Sequence, residues 1–474
     1  MKKTEIPSDD DAEYHSEFQP GHPAAPGENK FLIFPALDEF IGFFEIDNAI
    51  QSLIRNGLAE QILFLIYPET RDSLTEQPPH MAVVLYYDPE AIVRAVDDFR
   101  TAHGARFTGI LAVDDEAGFG LSALLKECFG IPLHNRTTLQ SSANKVLLKL
   151  LFGDAGIQTA RHSLSGLDGK PGLAEFPNVT KLITGTGSEY SFVSRDEREW
   201  VKSVRRLRAI LAKKDDLRLR KLRFRHNGIL YKIDPRREFI MEEFVDGHEY
   251  SMDFLVRGGK VEILRVTKKF FYSFFGYFCA YHLLDEALLK KEGLTLSLLR
   301  GVARQIAGSL KIKSGIGMAD FKLSPDGIVV IEASARPGLS VFIGLMQKLL
   351  GWTSFVPWAA SLLKMPYKPV FPRETGLSYH IYAPYPGRIA VFDTDGLEKL
   401  RKRLDIVSIY RYNEPGDIIE DSPDSHYGLF IGFVLFRNPD PSKIAEIFET
   451  VSRAVKIRVE PQAQAAIAGT GDDD

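Results

Sequence analysis

One stretch carries the densest chemistry: Gly317-Met318-Ala319-Asp320-Phe321-Lys322-Leu323-Ser324-Pro325-Asp326-Gly327-Ile328-Val329-Val330-Ile331-Glu332-Ala333-Ser334-Ala335-Arg336-Pro337-Gly338. It reads as two strands around a turn, and strand side chains alternate between faces. Phe321 and Leu323, with Val329, Ile331 and Ala333, make an apolar face, while Asp320, Glu332, Ser334 and Arg336 point the other way. With Pro325-Asp326-Gly327 as a three-residue loop, Ser324 opposes Ile328 and Asp320 falls directly across from Glu332. Like charges set opposite each other destabilise a sheet. A divalent cation removes the conflict, because carboxylate oxygens are the ligands magnesium takes. The competing reading is a solvated polar face on an edge hairpin.

Three weaker motifs lie upstream. In Lys181-Leu182-Ile183-Thr184-Gly185-Thr186-Gly187-Ser188 a strand lysine leads into a loop of glycine and hydroxyl residues, which can bring backbone N–H groups to phosphate oxygens. It lacks the downstream Gly-Lys-Ser/Thr of a Walker A loop, and by itself a hairpin turn is the plainer reading. Phe239-Ile240-Met241-Glu242-Glu243-Phe244-Val245-Asp246-Gly247-His248-Glu249 places two adjacent acids on a strand and a third after a turn. Glu242 and Glu249 can accept from an adenine amino group and ribose hydroxyls, although taken alone two exposed salt-bridging acids are the better reading. His248 reads as an exposed residue beside the turn. Asn144-Lys145 opens a helix expected over 141–155, and Lys145 there can reach a phosphate or simply face solvent.

Taken in order, these motifs resemble the ATP-grasp superfamily, over roughly residues 30–460. Asn144-Lys145…Ala155-Gly156-Ile157-Gln158-Thr159-Ala160 is similar to the family's Asp/Asn-Lys…Gly-Ile-x-x-Pro pattern, with Ala160 in the proline position. Phe176-Pro177-Asn178-Val179-Thr180-Lys181 is similar to its Phe-Pro-x-Val-x-Lys strand. The resemblance implies an ATP-grasp fold (α/β and α+β) with a preceding parallel α/β domain and a small α+β C-terminal cap. It implies ATP and Mg2+, with Mn2+ as a substitute. Lys145 and Lys181 would bind phosphates, with Gly185, Gly187 and Ser188 in a lid. Glu242 and the backbone of Glu243, Phe244 and Val245 would hold adenine, and Glu249 ribose. Asp320, Glu332 and Ser334 would hold the metal, and Arg336 and Lys181 would be the catalytic residues. Ser334 stands where the family usually has Asn, and Glu189 where the lid commonly has Arg. The Pro386-Gly387 turn, Asn413-Glu414-Pro415-Gly416-Asp417 and the Gly428–Val434 strand resemble bacterial carboxylate–amine ligases of the bacilysin dipeptide type. The implied reaction joins a small carboxylate to an amine, both amino-acid-like, through an acyl phosphate. The alternatives are another ATP-grasp ligation or carboxylation, or ATP binding without catalysis.

The rest of the chain must position these groups. Its 474 residues are enough for about three domains. The expected division is a tail at 1–28, an α/β domain at 29–138, a lid subdomain at 139–227, a metal-bearing subdomain at 228–372, a cap at 373–460 and a second tail from 461. In 30–138, short apolar runs (Phe31–Phe34, Gln61–Ile66, Met81–Leu85, Gly109–Val113) alternate with helical patterns, which predicts a parallel sheet. A net charge of -4 gives no electrostatic case for a nucleic-acid partner, and the basic run 213–225 reads as a solvated face. No apolar run of about 20 residues argues for a membrane span. The chain opens without a secretory pattern and reads as cytoplasmic, as a monomer or a homodimer. Its two cysteines cannot build a disulfide framework, and Cys128 is expected on the buried side of a helix. The aromatic run 270–278 suits a substrate pocket, a core or an interface equally.

Overall fold

A computed structural model describes residues 29–37, 42–85, 88–113, 115, 117–132, 134–167, 172, 175–185, 190–213, 219–271, 278–367, 370–420 and 426–461. The expected tails at 1–28 and 462–474, the lid residues Gly187, Ser188 and Glu189, and 272–277 of the aromatic run lie outside them. The chain divides at Ser378/Tyr379 into two compact units.

In the larger unit, β1 (Lys30–Ala36), β2 (Ile62–Ile66), β3 (Met81–Val83) and β4 (Arg106–Ile110) form a parallel sheet in the order β3-β2-β1-β4. Its strands are nearly continuous apolar runs because both faces are covered. β4 begins three residues earlier than the apolar run predicts, since Arg106 and Phe107 already pair with Lys30 and Phe31. The chain leaves β1 toward β2 on one side and returns through β4 on the other. Such a reversal opens a crevice at the carboxyl ends of the strands.

The predicted helix over 141–155 is two helices, Arg136–Ser142 and Lys145–Asp154. Asn144 breaks them apart: its side chain accepts from Val146 and Leu147 N–H, which caps the second helix. The capped helix packs Val146 and Leu147 against Ile183, Phe224, Ile233 and Ile240. Next come β5 (His162–Gly166), β6 (Asn178–Lys181), β7 (Phe192–Ser194), the hairpin of β8 (Leu222–His226) and β9 (Ile229–Ile233), and β10 (Glu238–Glu243). β5, β10, β6 and β7 make one antiparallel sheet in that order. The alternation of β10 assigns its side chains. Phe239 and Met241 join the core under the helix Glu197–Lys213, and Ile240 faces the helix Lys145–Asp154, carrying Glu242 to the same side.

β11 (His248–Arg257), β12 (Lys260–Phe271), β13 (Phe278–Leu283), β14 (Gly315–Ser324) and β15 (Gly327–Ser334) run in the order β15-β14-β11-β12-β13. The hairpin that carries the acids is tighter than predicted. Ser324 pairs with Gly327, so the turn is Pro325-Asp326 alone, with Gly327 at a φ of 116°. A bulge then offsets the register by one residue: Val330 pairs with Phe321, and Asp320 pairs with Glu332. The predicted opposition of the two acids is therefore present, reached through a shorter turn plus a bulge. The apolar partner of Phe321 is Val330 rather than Ile331, which the predicted register would place there, and Val329 faces Lys322.

In the smaller unit β16 (Gly376–Tyr382) continues from Tyr379, β17 (Gly387–Asp393) pairs with β19 (Ile418–Ile419) and β21 (Lys456–Glu460), and β18 (Ile406–Arg411) pairs with β20 (Phe430–Arg437). The helix Ile444–Ala454 buries Ile444, Ile447 and Val451, and the unit closes on β21. Cys128 is exposed, contrary to expectation: Lys126, Glu127 and Cys128 are all exposed, so the last turn of the helix Ala117–Phe129 outruns its cover.

Candidate active site

The acid pair lies on the face that β11 and β12 share with β14. Asp320 Oδ2 accepts from Lys269 Nζ at 2.7 Å, and the same ammonium donates to Glu249 Oε1 at 2.9 Å. Cross-strand pairing explains the meeting, because Glu249 opposes Lys269 on β12 and Ser251 opposes Asp320 on β14. Burial disfavours the charged lysine, but Asp320 and Glu249 outweigh it and raise the Lys269 pKa above the usual range. Asp320 Oδ1 is buried and has no hydrogen-bond partner among the described residues. A buried carboxylate oxygen without a donor calls for a ligand.

Ser334 and Arg336 turn toward a group that sequence reasoning passed over. Asp115, past the carboxyl end of β4, accepts from the Ser334 hydroxyl on one oxygen. Its other oxygen takes Arg336 Nε at 2.9 Å and Nη2 at 2.7 Å. Burial pushes the Asp115 carboxyl up, and Arg336 and Ser334 oppose that push without cancelling it. Arg336 also donates to Pro337 O at 2.9 Å. The position of Asp115 at the mouth of the parallel sheet was the available signal.

Glu242 is buried and held by two lysines. Lys181 Nζ donates to Oε2 at 2.9 Å, and Lys149 Nζ stands 3.3 Å from Oε1, at ion-pair range. Burial raises the Glu242 pKa, yet the two ammoniums prevail and hold it at about 2. Lys181 is raised, with burial overcome by Glu242, whereas burial lowers Lys149 despite Glu242. Lys149 lies one helical turn beyond Lys145, a spacing that puts both on one face. Lys145 Nζ donates to Gly185 O at 2.5 Å, tying the start of its helix to the loop after Lys181.

The segment after β10 is fastened at each residue. Glu243 N–H donates to Arg161 O at 2.9 Å, and Phe244 N–H to Pro177 O at 3.1 Å. Val245 O accepts from Lys322 Nζ at 2.8 Å, and that ammonium lies 4.4 Å from the centre of the Phe244 ring. Glu243 accepts from Arg161 N–H at 2.9 Å and from its guanidinium. Gly247 is needed here: at φ 120°, an added Cβ would sit 2.2 Å from Leu323 O. His248 is exposed, as predicted.

Among the described residues no group of three or more His, Cys, Asp or Glu is arranged as a metal cage. Two carboxylates suffice for Mg2+, which keeps several waters and takes its remaining ligands from substrate phosphates. No helix among the described residues is long and apolar enough to cross a membrane.

Residues 174–341 match the ATP-grasp domain family. No curated protein sequence matches the chain. Among solved structures, an L-amino acid ligase from Bacillus licheniformis aligns with a TM-score of 0.68 at 19% identity, over 92% of this chain and 100% of that one. The biotin carboxylase domain of a 2-oxoglutarate carboxylase from Hydrogenobacter thermophilus, solved with MgADP and bicarbonate, aligns with a TM-score of 0.58 at 14% identity, over 90% of each chain. An N5-carboxyaminoimidazole ribonucleotide synthetase from Thermotoga maritima gives 0.54 at 15%, over 91% of this chain and 99% of that one. Residues 174–341 thus match an ATP-grasp domain, and the chain shares the fold of the Bacillus licheniformis ligase.

Proposed function

We propose that this protein is an ATP-dependent carboxylate–amine ligase that forms an amide through an acyl phosphate and releases ADP and phosphate. The observation that carries this reading is Asp320 across from Glu332, with a buried oxygen of Asp320 lacking a donor among the described residues. These residues fit Mg2+, which supplies charge neutralisation at the transferred phosphoryl group. The protein's own part is alignment and electrostatics, with no covalent nucleophile required. Lys145 and Lys181 draw charge from the phosphates. The backbone from Glu243 to Val245 receives adenine, and Glu249 receives ribose. Arg336, held against Asp115, meets the acyl phosphate and the oxyanion that follows amine attack. Ser334 donates its proton to Asp115 and keeps its oxygen lone pairs for the metal. The ligase from Bacillus licheniformis supports amino acids as both substrates.

The test is a screen of amino-acid pairs that reads ADP, phosphate and amide together. Amide formed in step with ADP, and lost in Asp320→Asn, is the expected result. ADP released only with bicarbonate would replace this reading with a carboxylase, the activity class of the Hydrogenobacter relative. ATP binding without ADP from any pair would leave a nucleotide-binding module.

A further inference from the structure

The acids oppose each other only because of the bulge. Counting from the turn, Ser324, Leu323, Lys322 and Phe321 pair with Gly327, Ile328, Val329 and Val330 in a regular ladder. Continued without interruption, that ladder sets Ile331 opposite Asp320 and Glu332 opposite Ala319. A one-residue slip moves a strand's side chains to the other face. Glu332 would then leave the face of Asp320. Ile331, the inserted residue, has no partner on β14.

A bulged residue gives up ladder hydrogen bonds, and its buried carbonyl needs another donor. Lys149 Nζ donates to Ile331 O at 3.1 Å. The same Nζ donates to Thr159 Oγ1 at 2.6 Å, and that hydroxyl donates to Val330 O at 2.8 Å. Val330 N–H is taken by Gln158 O at 2.9 Å, and Thr159 forms an isolated parallel bridge to Val330. Lys149 is 1% exposed, so its ammonium has no access to solvent as an alternative partner. Three features thus meet at the Lys149 side chain: a displaced carbonyl, a hydroxyl relay to the neighbouring carbonyl, and its own burial.

We infer that Lys149 is a positioning residue: by holding the bulge at Ile331 it keeps Glu332 across from Asp320, and so sets the affinity of the pair for a divalent cation. The inference rests on reading Asp320 and Glu332 as the metal site. It goes beyond that reading by placing control of the metal on a helix residue that touches neither carboxylate of the pair.

The test is Mn2+ binding at saturating ADP, titrated by electron paramagnetic resonance on the full chain. ADP affinity without metal and thermal unfolding are measured alongside. Wild type should bind Mn2+, and Asp320→Asn should lose it. Lys149→Met should weaken Mn2+ binding about tenfold or more, the usual cost of removing a group that orients metal ligands. Lys149→Arg should recover most of that loss, which a purely structural role does not predict. Thr159→Val removes the relay while keeping shape and should weaken Mn2+ binding in the same direction; it stands in for Lys149→Met if that variant does not fold. Mn2+ affinity unchanged in the folded Lys149→Met variant, or in Thr159→Val where Lys149→Met does not fold, overturns the inference. Mn2+ binding that survives Asp320→Asn overturns the metal-site reading instead.

Discussion

Glu242→Gln isolates the charge balance at the buried end of β10. The wild-type carboxylate titrates near 2 in place of its usual 4.5, because two ammoniums outweigh the burial that would raise it. At about 1.4 kcal/mol for each tenfold change in proton affinity, that difference is about 3 kcal/mol of folding stability at neutral pH. The sign follows from the depressed folded value. The contribution is complete above the unfolded pKa near 4.5 and is lost as pH falls through about 2. At pH 3 roughly 1.5 kcal/mol should remain. Glutamine keeps the shape and removes the charge, leaving Lys149 and Lys181 uncompensated, an outcome that costs 3–5 kcal/mol on the order of other broken buried pairs. The assay is urea unfolding of wild type and variant at pH 7 and pH 3. The variant should be less stable by about 3 kcal/mol at pH 7, and the gap should shrink by about half at pH 3. A gap that is absent at pH 7, or equally large at pH 3, refutes the ion-pair account of Glu242.

Asp115→Asn leaves the Arg336 guanidinium buried without its carboxylate and should cost about 3 kcal/mol or more. Adding Arg336→Met should restore much of that stability while leaving amide formation abolished; a double variant no more stable than the single one locates the cost elsewhere. Gly247→Ala drives a Cβ to 2.2 Å from Leu323 O at a positive φ, so it should lose about 2 kcal/mol or more and raise the KM for ATP. Gly293→Ala is the control: its φ is also positive, 78°, but its nearest neighbour is 4.0 Å away, so only the smaller backbone cost of about 1 kcal/mol should appear and KM should hold.

The acid pair was legible in the sequence because strand alternation has a period of two and the turn residues bracket the register within one position. The single residue of error in the turn was then cancelled by a bulge of one residue at Ile331. Nothing local announces that bulge: Val329-Val330-Ile331 is an uninterrupted β-branched run, and the donor that stabilises its displaced carbonyl is 182 residues away. Asp115 was missed for a related reason. Its partners, Ser334 and Arg336, are more than two hundred positions downstream, and an acid after a strand reads locally as a turn. Lys149 was missed although helical spacing places it on the face of Lys145, which adjoins the capping Asn144. The parallel sheet and the β10 core were legible because each is a continuous or alternating apolar pattern that no distant partner overrides.

The two lysines on Glu242 cannot serve the same purpose, and exposure separates them. Lys149 is 1% exposed and has three further oxygens within reach or bonded: Thr159 Oγ1, Ile331 O and Glu242 Oε1. A phosphate could reach it only by dismantling the bulge. Lys181 is 13% exposed and, among the described residues, bonds to Glu242 Oε2 alone. It keeps donors free for an incoming anion, since an ammonium carries three. Glu242 therefore acts as the shared counterion: it opposes the burial that lowers Lys149 in the interior, where Lys149 sets the strand register, and raises Lys181 at the opening, where a triphosphate would meet it. The same carboxylate that the sequence offered as an adenine ligand is, in this arrangement, the electrostatic link between Lys149 and Lys181.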